Sequence, residues 1–368
     1  QAARHVSPEF EQHFEKIIGR PPVKKLSVKL APPTLSDNAS DLSRLARALK
    51  LEHQVEGATI DFPALKKLPH VLREADWRVT VTLLHENTPC IINIEAGDTT
   101  AKQYAVAFDV GTTSLWGQLV DIAAGKVLAE ASSYNPQIPF GDDVITRIVF
   151  SQKKDGLEKL RQKVVDGLNV LLEELLQKSN VNKSDIIYIT AAGNTVMTHL
   201  LLGLDPKYIR ETPYIPVANF YPTASAAEYG FDTEGPSAMH FFPCVASYVG
   251  GDIVAGVLSS GMYTGKKLTL YIDIGTNGEI VLGNEDWLMA ASCSAGPAFE
   301  GGGLKCGMRA MPGAIEGFSI HDTTGEPMIV TMGRAMAKGI CGSGAINILA
   351  EFLRTGIIDR NGKFNRGF

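Results

Sequence analysis

Two stretches of this chain repeat one pattern, "AFDVGTTSLWGQLVD" at 107–121 and "YIDIGTNGEIVLGN" at 271–284. In each, an apolar strand runs into Asp, then into a short turn carrying Gly and Thr, then into a second apolar strand. A strand that ends in Asp-x-Gly-Thr can serve a phosphate in three ways. Glycine lets backbone N–H groups approach without a Cβ in between. The Thr hydroxyls add donors. The carboxylate, which would repel phosphate directly, can hold Mg²⁺ through water, because that ion keeps most of its hydration shell. One such turn is also an ordinary strand-turn-strand. Two copies separated by an α/β segment read as paired phosphate loops that could clamp a polyphosphate and position it for in-line attack by water.

The rest of the chain supplies context for these turns. With 368 residues, 45% of them hydrophobic, it is long enough for more than one domain. A net charge of -5 gives no footprint for nucleic acid, and no apolar run reaches the roughly 18 residues of a membrane span. The five cysteines, Cys90, Cys244, Cys293, Cys306 and Cys341, are odd in number and form no CxxC pair. That argues against disulfides and against a zinc or iron–sulfur site in these residues, and makes a reducing cytoplasm the expected setting. The eight histidines show no metal spacing.

Residues 1–34 read as an extended linker: a short helix-like "PEFEQHFEKII" is followed by a stretch where Pro21, Pro22, Pro32 and Pro33 block regular structure. Residues 35–100 read as a small α+β middle domain. Its helices are "SDNASDLSRLARALKL" and "LKKLPHVLREA", and its hairpin is "DWRVTVTLLHE" with "CIINIEAGDTT". From Tyr104 onward strands and helices alternate, which predicts an α/β fold. "DGLEKLRQKVVDGLNVLLEELLQKS" has the period of a long amphipathic helix. "DIIYITAAGNTVMTHLLLG" reads as strand, Gly turn and helix, and "FFPCVASYVGGDIVAGVLSSG" as a short strand before a small-residue helix.

The twin turns resemble those of the actin, sugar-kinase and heat-shock-chaperone ATPase superfamily, in which two related subdomains each contribute a phosphate hairpin. The resemblance implies a first subdomain over 104–265 and a second over 266–368, preceded by the small α+β domain. It narrows on a string of motifs: "SSYNPQIPFGDDVITRI", "AAGNTVMTHLLLG", "PYIPV", "SYVGGDIVAG", "DIGTNGEIVLGN", "CSAGPAFEGGGLKCGMRAMPGAIE" and "GICGSGAINILAEFLRTGIID". In this order they resemble the reductive activators of corrinoid proteins, ATP-dependent proteins that return an accidentally oxidised corrinoid from Co(II) to Co(I). Such activators carry a [2Fe–2S] ferredoxin domain at the N-terminus. Here the C-x₄-C-x₂-C pattern is missing, so the cluster is expected only in a domain absent from this chain. The chain also stops at "DRNGKFNRGF", before the Gly-Gly turn that usually grips adenosine, and is expected to be a fragment of a longer protein.

What the resemblance implies is specific. Gly111, Thr112 and Thr113, with Gly275, Thr276, Asn277 and Gly278, would hold the phosphates of ATP. Asp109 and Asp273 would organise Mg²⁺ through water. Asp252 would orient the lytic water, or else pair with the dipole of its own helix. Asn194 would bond a phosphate or that water, or else cap a helix. Glu300 in "GPAFEGGG" could touch nucleotide or partner, and "GICGSGA" could bind an anion or only pack closely. The partner would be a corrinoid iron–sulfur protein, a methyltransferase corrinoid protein or methionine synthase, with a homodimer as the assembly carried alongside. Three other readings are a small-molecule kinase of the same superfamily with Asp252 as base, a nucleotide-stabilised binding module without catalysis, and an activator of the acyl-CoA reductase type. The last would need cluster cysteines that the chain does not offer.

Overall fold

The prolines around residues 21–33 set off seven residues that contain none, "VKKLSVK", of which Val23, Lys25, Leu26 and Val28 are buried and Lys24 and Lys29 exposed. In the computed structural model, which describes residues 21–85, 88–275, 277–293, 304–308, 310–321 and 323–365, they form strand β1 (Val23–Lys29). The stretch read as linker therefore supplies a strand. Proline removes a ladder donor only where it sits, so proline pairs on either side of a pattern delimit a strand instead of preventing one. The helix-like stretch before Arg20, together with Thr276 and Glu300, lies outside the described residues.

Strand β1 joins a four-stranded sheet of order β1-β3-β4-β2, with β2 (Thr59–Ile60), β3 (Arg78–Leu84) and β4 (Cys90–Ala96). Helices α1 (Asp41–His53) and α2 (Phe62–Glu74) start at Ser40 and Asp61, whose side chains accept from Ser43 N–H and Ala64 N–H. Their buried leucines, Leu45, Leu49, Leu68 and Leu72, pack with Val28, Val79 and Val81 of the sheet.

A second, six-stranded sheet has the order β7-β6-β5-β8-β10-β9. Its strands are β5 (Tyr104–Val110), β6 (Ser114–Asp121), β7 (Lys126–Tyr134), β8 (Ile186–Gly193), β9 (Ala224–Ser225) and β10 (Ala238–Phe241). β5, β8 and β10 run parallel, whereas β6 and β7 continue β5 as an antiparallel meander. Helices α3 (Val144–Ser151), α4 (Gly156–Ser179) and α5 (Thr195–Leu202) share its core. The expected long helix is α4, whose Leu160, Val164, Leu168, Leu171, Leu172 and Leu175 are buried with Val106, Phe108, Leu115 and Leu119. Each fully buried side chain of this kind contributes about 1.5–3 kcal/mol.

The two sheets belong to one unit, which runs to Lys267 and takes in Asn284–Trp287. Val23 and Leu84 cluster with Ile187, Tyr188 and Ala238. Buried Lys25 pairs with Glu95 at 2.8 Å, and its backbone N–H donates to Gln103 Oε1 at 2.8 Å. Helix α6 (Gly251–Ser260) closes this unit.

The second unit starts at Leu268. It contains the meander β11 (Thr269–Ile274), β12 (Gly278–Gly283) and β13 (Leu288–Cys293), then a sheet of order β15-β14-β16 from β14 (Ala314–Ile320), β15 (Pro327–Thr331) and β16 (Gly339–Ile340). Helix α7 (Gly342–Arg354) is tied to β14 by Glu351, whose Oε1 accepts the Ile320 N–H at 2.7 Å. The Arg354 guanidinium and that N–H together hold the Glu351 carboxyl down to about 2.

Candidate functional site: the phosphate turns

The parallel strands β5 and β8 end level with each other, Asp109 beside Ala192 and Val110 beside Gly193. The turns after both strands therefore emerge on one edge of the sheet. In open α/β sheets, ligands bind outside the carboxyl ends of the strands. Asp109 is exposed at the end of β5, opposite Trp116 in the hairpin. Gly111 turns so tightly that a Cβ there would lie 2.7 Å from the Ser114 carbonyl oxygen.

Thr112 is only 5% exposed. Its hydroxyl accepts the Asn194 Nδ2 amide at 3.0 Å. The same Asn194 caps α5, its Oδ1 accepting the Met197 N–H at 2.9 Å. Asn194 thus caps a helix with one atom and steadies the phosphate turn with another. The start of α6 presses against this point: a Cβ on Gly250 would sit 2.4 Å from the Asn194 Cα. Asp252, half-buried in the first turn of α6, accepts the Ile253 N–H at 2.8 Å. The fold therefore gathers Asp109, the 111–113 turn, Asn194 and Asp252 at one edge of one sheet.

These residues fit a magnesium-bound phosphate. A hydrated Mg²⁺ asks for one or two carboxylates rather than a cage, and Asp109 is an exposed carboxylate beside a glycine turn. Among the described residues no group of three or more His, Cys, Asp or Glu side chains is placed to hold a metal ion directly.

Sequence reasoning assigned no role to three buried residues behind the turn. Asn135, 1% exposed, donates from Nδ2 to the Gly111 carbonyl at 2.8 Å and from its backbone N–H to the Thr113 carbonyl at 2.9 Å. Arg147, fully buried on α3, donates to the Thr112 carbonyl at 2.5 Å. Gln137, also fully buried, accepts from Arg147 at 3.1 Å. All three lie in "SSYNPQIPFGDDVITRI", where Asn and Gln flanking a proline just after a strand were the available signal.

In the second unit, Asp273 lies one residue before the end of β11, and Gly275 donates its N–H to the Asn277 carbonyl at 2.9 Å. Gly278 opens β12 opposite Cys293. Asp273 pairs across the hairpin with Glu279, which is 9% exposed. Burial pushes the Glu279 carboxyl up, the Ser292 hydroxyl bonded to it at 3.3 Å opposes this, and the Asp273 charge adds to the rise. This second carboxylate was also missed. Asp and Gly thus recur in the second hairpin as in the first, with Asn277 where the first has Thr113 and Glu279 facing Asp273 where Trp116 faces Asp109.

Three models of one family match consecutively along the chain: the RACo linker region over residues 13–101, the RACo middle region over 104–265, and the C-terminal domain of RACo, the ASKHA domain, over 267–368. The chain belongs to the RACo family. In the terms of that family, the small α+β module is linker region and residues 104–265 are the middle region. Relatives agree. The chain is 37% identical over 269 residues to the corrinoid activation enzyme RamQ of Eubacterium limosum, covering 72% of this chain and 44% of the relative. It is 24% identical over 298 residues to the [Co(II) methylated amine-specific corrinoid protein] reductase of Methanosarcina barkeri, covering 72% and 53%. A solved structure of a reductive activator for corrinoid, iron–sulfur protein superposes with a TM-score of 0.85 at 45% identity, over 94% of this chain and 55% of that one. The chain spans about half the length of the curated relatives it matches.

Proposed function

We propose that this chain is the nucleotide-dependent part of an activator that uses ATP to return a corrinoid protein from Co(II) to Co(I). The observation that carries the reading is the gathering of Asp109, the 111–113 turn, Asn194 and Asp252 at the carboxyl edge of a parallel sheet in a RACo chain. The names of the relatives supply the class of partner.

In this reading Gly111, Thr112 and Thr113 present donors to a phosphate of ATP, and Asp109 holds the waters of Mg²⁺. Gly275, Asn277 and Gly278, with Asp273, offer the second unit's turn the same chemistry. Asp252 orients the attacking water. A [2Fe–2S] cluster held outside these residues would supply the single electron that Co(II) accepts. The step is uphill for common donors, and each ~59 mV of a one-electron couple corresponds to about 1.4 kcal/mol. Nucleotide binding offsets that only if it favours one state of the complex over the other. A cytoplasmic setting suits the free thiols.

The test uses the full-length protein with a Co(II)-corrinoid protein and a reductant, following cobalt by its visible spectrum. ATP should bring up the Co(I) spectrum, and Asp109→Ala should slow its appearance about tenfold or more. Asp109→Ala acting at the wild-type rate would reject the assignment of the turn.

A further inference from the structure

Arg147 is a charged side chain with no exposure at all, and its guanidinium converges on the back of the first phosphate turn. Nη2 donates to the Thr112 carbonyl at 2.5 Å, Nε to the Gly141 carbonyl at 2.9 Å, and Nη1 to Gln137 Oε1 at 3.1 Å and Met197 Sδ at 3.2 Å. Gln137 is itself held, its Nε2 donating to the Leu160 carbonyl at 2.8 Å and its N–H to Asn135 Oδ1 at 2.9 Å. Asn135 in turn holds the Gly111 carbonyl at 2.8 Å. The carbonyls of Gly111 and Thr112 are therefore both turned inward to buried donors.

A trans peptide is planar, so the N–H of the next residue points opposite to the carbonyl. With the Gly111 carbonyl fixed on Asn135, the Thr112 N–H points away from it; with the Thr112 carbonyl fixed on Arg147, the Thr113 N–H points away from the guanidinium. We propose that Arg147, seated on Gln137 and assisted by Asn135, is a positioning residue for nucleotide: it fixes which edge of the 111–113 turn carries the donors that meet a phosphate. A charge-assisted bond to a carbonyl is roughly twice as strong as a neutral one. A buried guanidinium one hydrogen bond behind the turn also favours an anion in front of it, because the medium around it screens weakly. Lysine keeps the charge but cannot hold Thr112, Gly141 and Gln137 at once.

This inference rests on the reading of the 111–113 turn as a phosphate site. Its test is equilibrium binding of MgATP to the full-length protein, with no corrinoid protein present, for the wild type, Arg147→Lys and Gln137→Met. Amide hydrogen exchange at residues 111–114 is read with and without MgATP, and the thermal midpoint is read without it. The expected result is a dissociation constant raised tenfold or more in Arg147→Lys and severalfold in Gln137→Met, with nucleotide-induced protection of Thr112 and Thr113 lost in the first. A purely structural arginine would lower the midpoint and leave affinity and protection alone in the folded fraction, and that result overturns the proposal. If Arg147→Lys does not fold, Gln137→Met decides by the same criterion. A wild type that binds MgATP without protecting residues 111–114 removes the reading of the turn itself, and the inference with it.

Discussion

His199 shows how a buried polar residue serves this fold. It has no exposure, and its ring sits between the Thr195 carbonyl, 2.7 Å from Nδ1, and the Val217 N–H, 3.0 Å from Nε2. Because Val217 can only donate, Nε2 accepts and Nδ1 carries the proton, so the neutral ring satisfies both neighbours. Burial lowers its pKa below the ordinary 6.5, and the bond to Thr195 opposes the shift. In the unfolded chain the ring takes up its proton first as pH falls, so this contribution is complete above about 6.5 and is lost as pH drops toward the folded value. His199→Leu should cost about 1–3 kcal/mol at pH 7.5, since it strands the Val217 N–H. It should also narrow the gap between thermal midpoints at pH 7.5 and pH 5. An unchanged gap would mean that the ring does not titrate in this way.

At the scale of elements, the site depends on how closely α5 and α6 start beside each other. A Cβ on Gly250 would lie 2.4 Å from the Asn194 Cα and 2.6 Å from the Gly193 carbonyl oxygen, both backbone atoms that cannot swing aside. Gly250→Ala should therefore destabilise the protein by roughly 1–3 kcal/mol and weaken MgATP binding through Asn194. Gly265→Ala, where no atom lies within 4 Å, serves as the neutral comparison. Denaturant titration of both reads the difference, and equal stabilities would contradict the packing. These elements were legible where the pattern is local. The leucine period of α4, the Asp-x-Gly-Thr hairpins and the Gly turn before α5 each carry their signal within a few residues. The residues behind the turn were not. Arg147 meets Thr112 across a separation of 35 residues and Asn135 meets Gly111 across 24, contacts that only the sheet order creates. An isolated arginine near a helix start reads as a solvated charge. Glu279 was hidden for a related reason: only the register of β11 on β12 brings it beside Asp273. Strand β1 was missed because its flanking prolines dominated seven ordinary strand residues.

At the scale of the whole molecule, each unit offers one Asp-Gly hairpin, and the first is embedded in a sheet, two helix starts and a buried arginine layer. Within the first unit the small linker-region sheet is fastened to the larger sheet by the Val23, Leu84 and Ile187 cluster and by the Lys25 N–H on Gln103. Forces acting on the linker region thus have a packed route toward the strands that carry the turn. ATP hydrolysis by the full-length protein, measured with and without a Co(II)-corrinoid protein, decides whether the turns serve an ATP cycle that answers to such a partner. Hydrolysis should rise when the Co(II) protein is added and fall back once cobalt is held as Co(I). Hydrolysis indifferent to the corrinoid protein in either state would contradict that role.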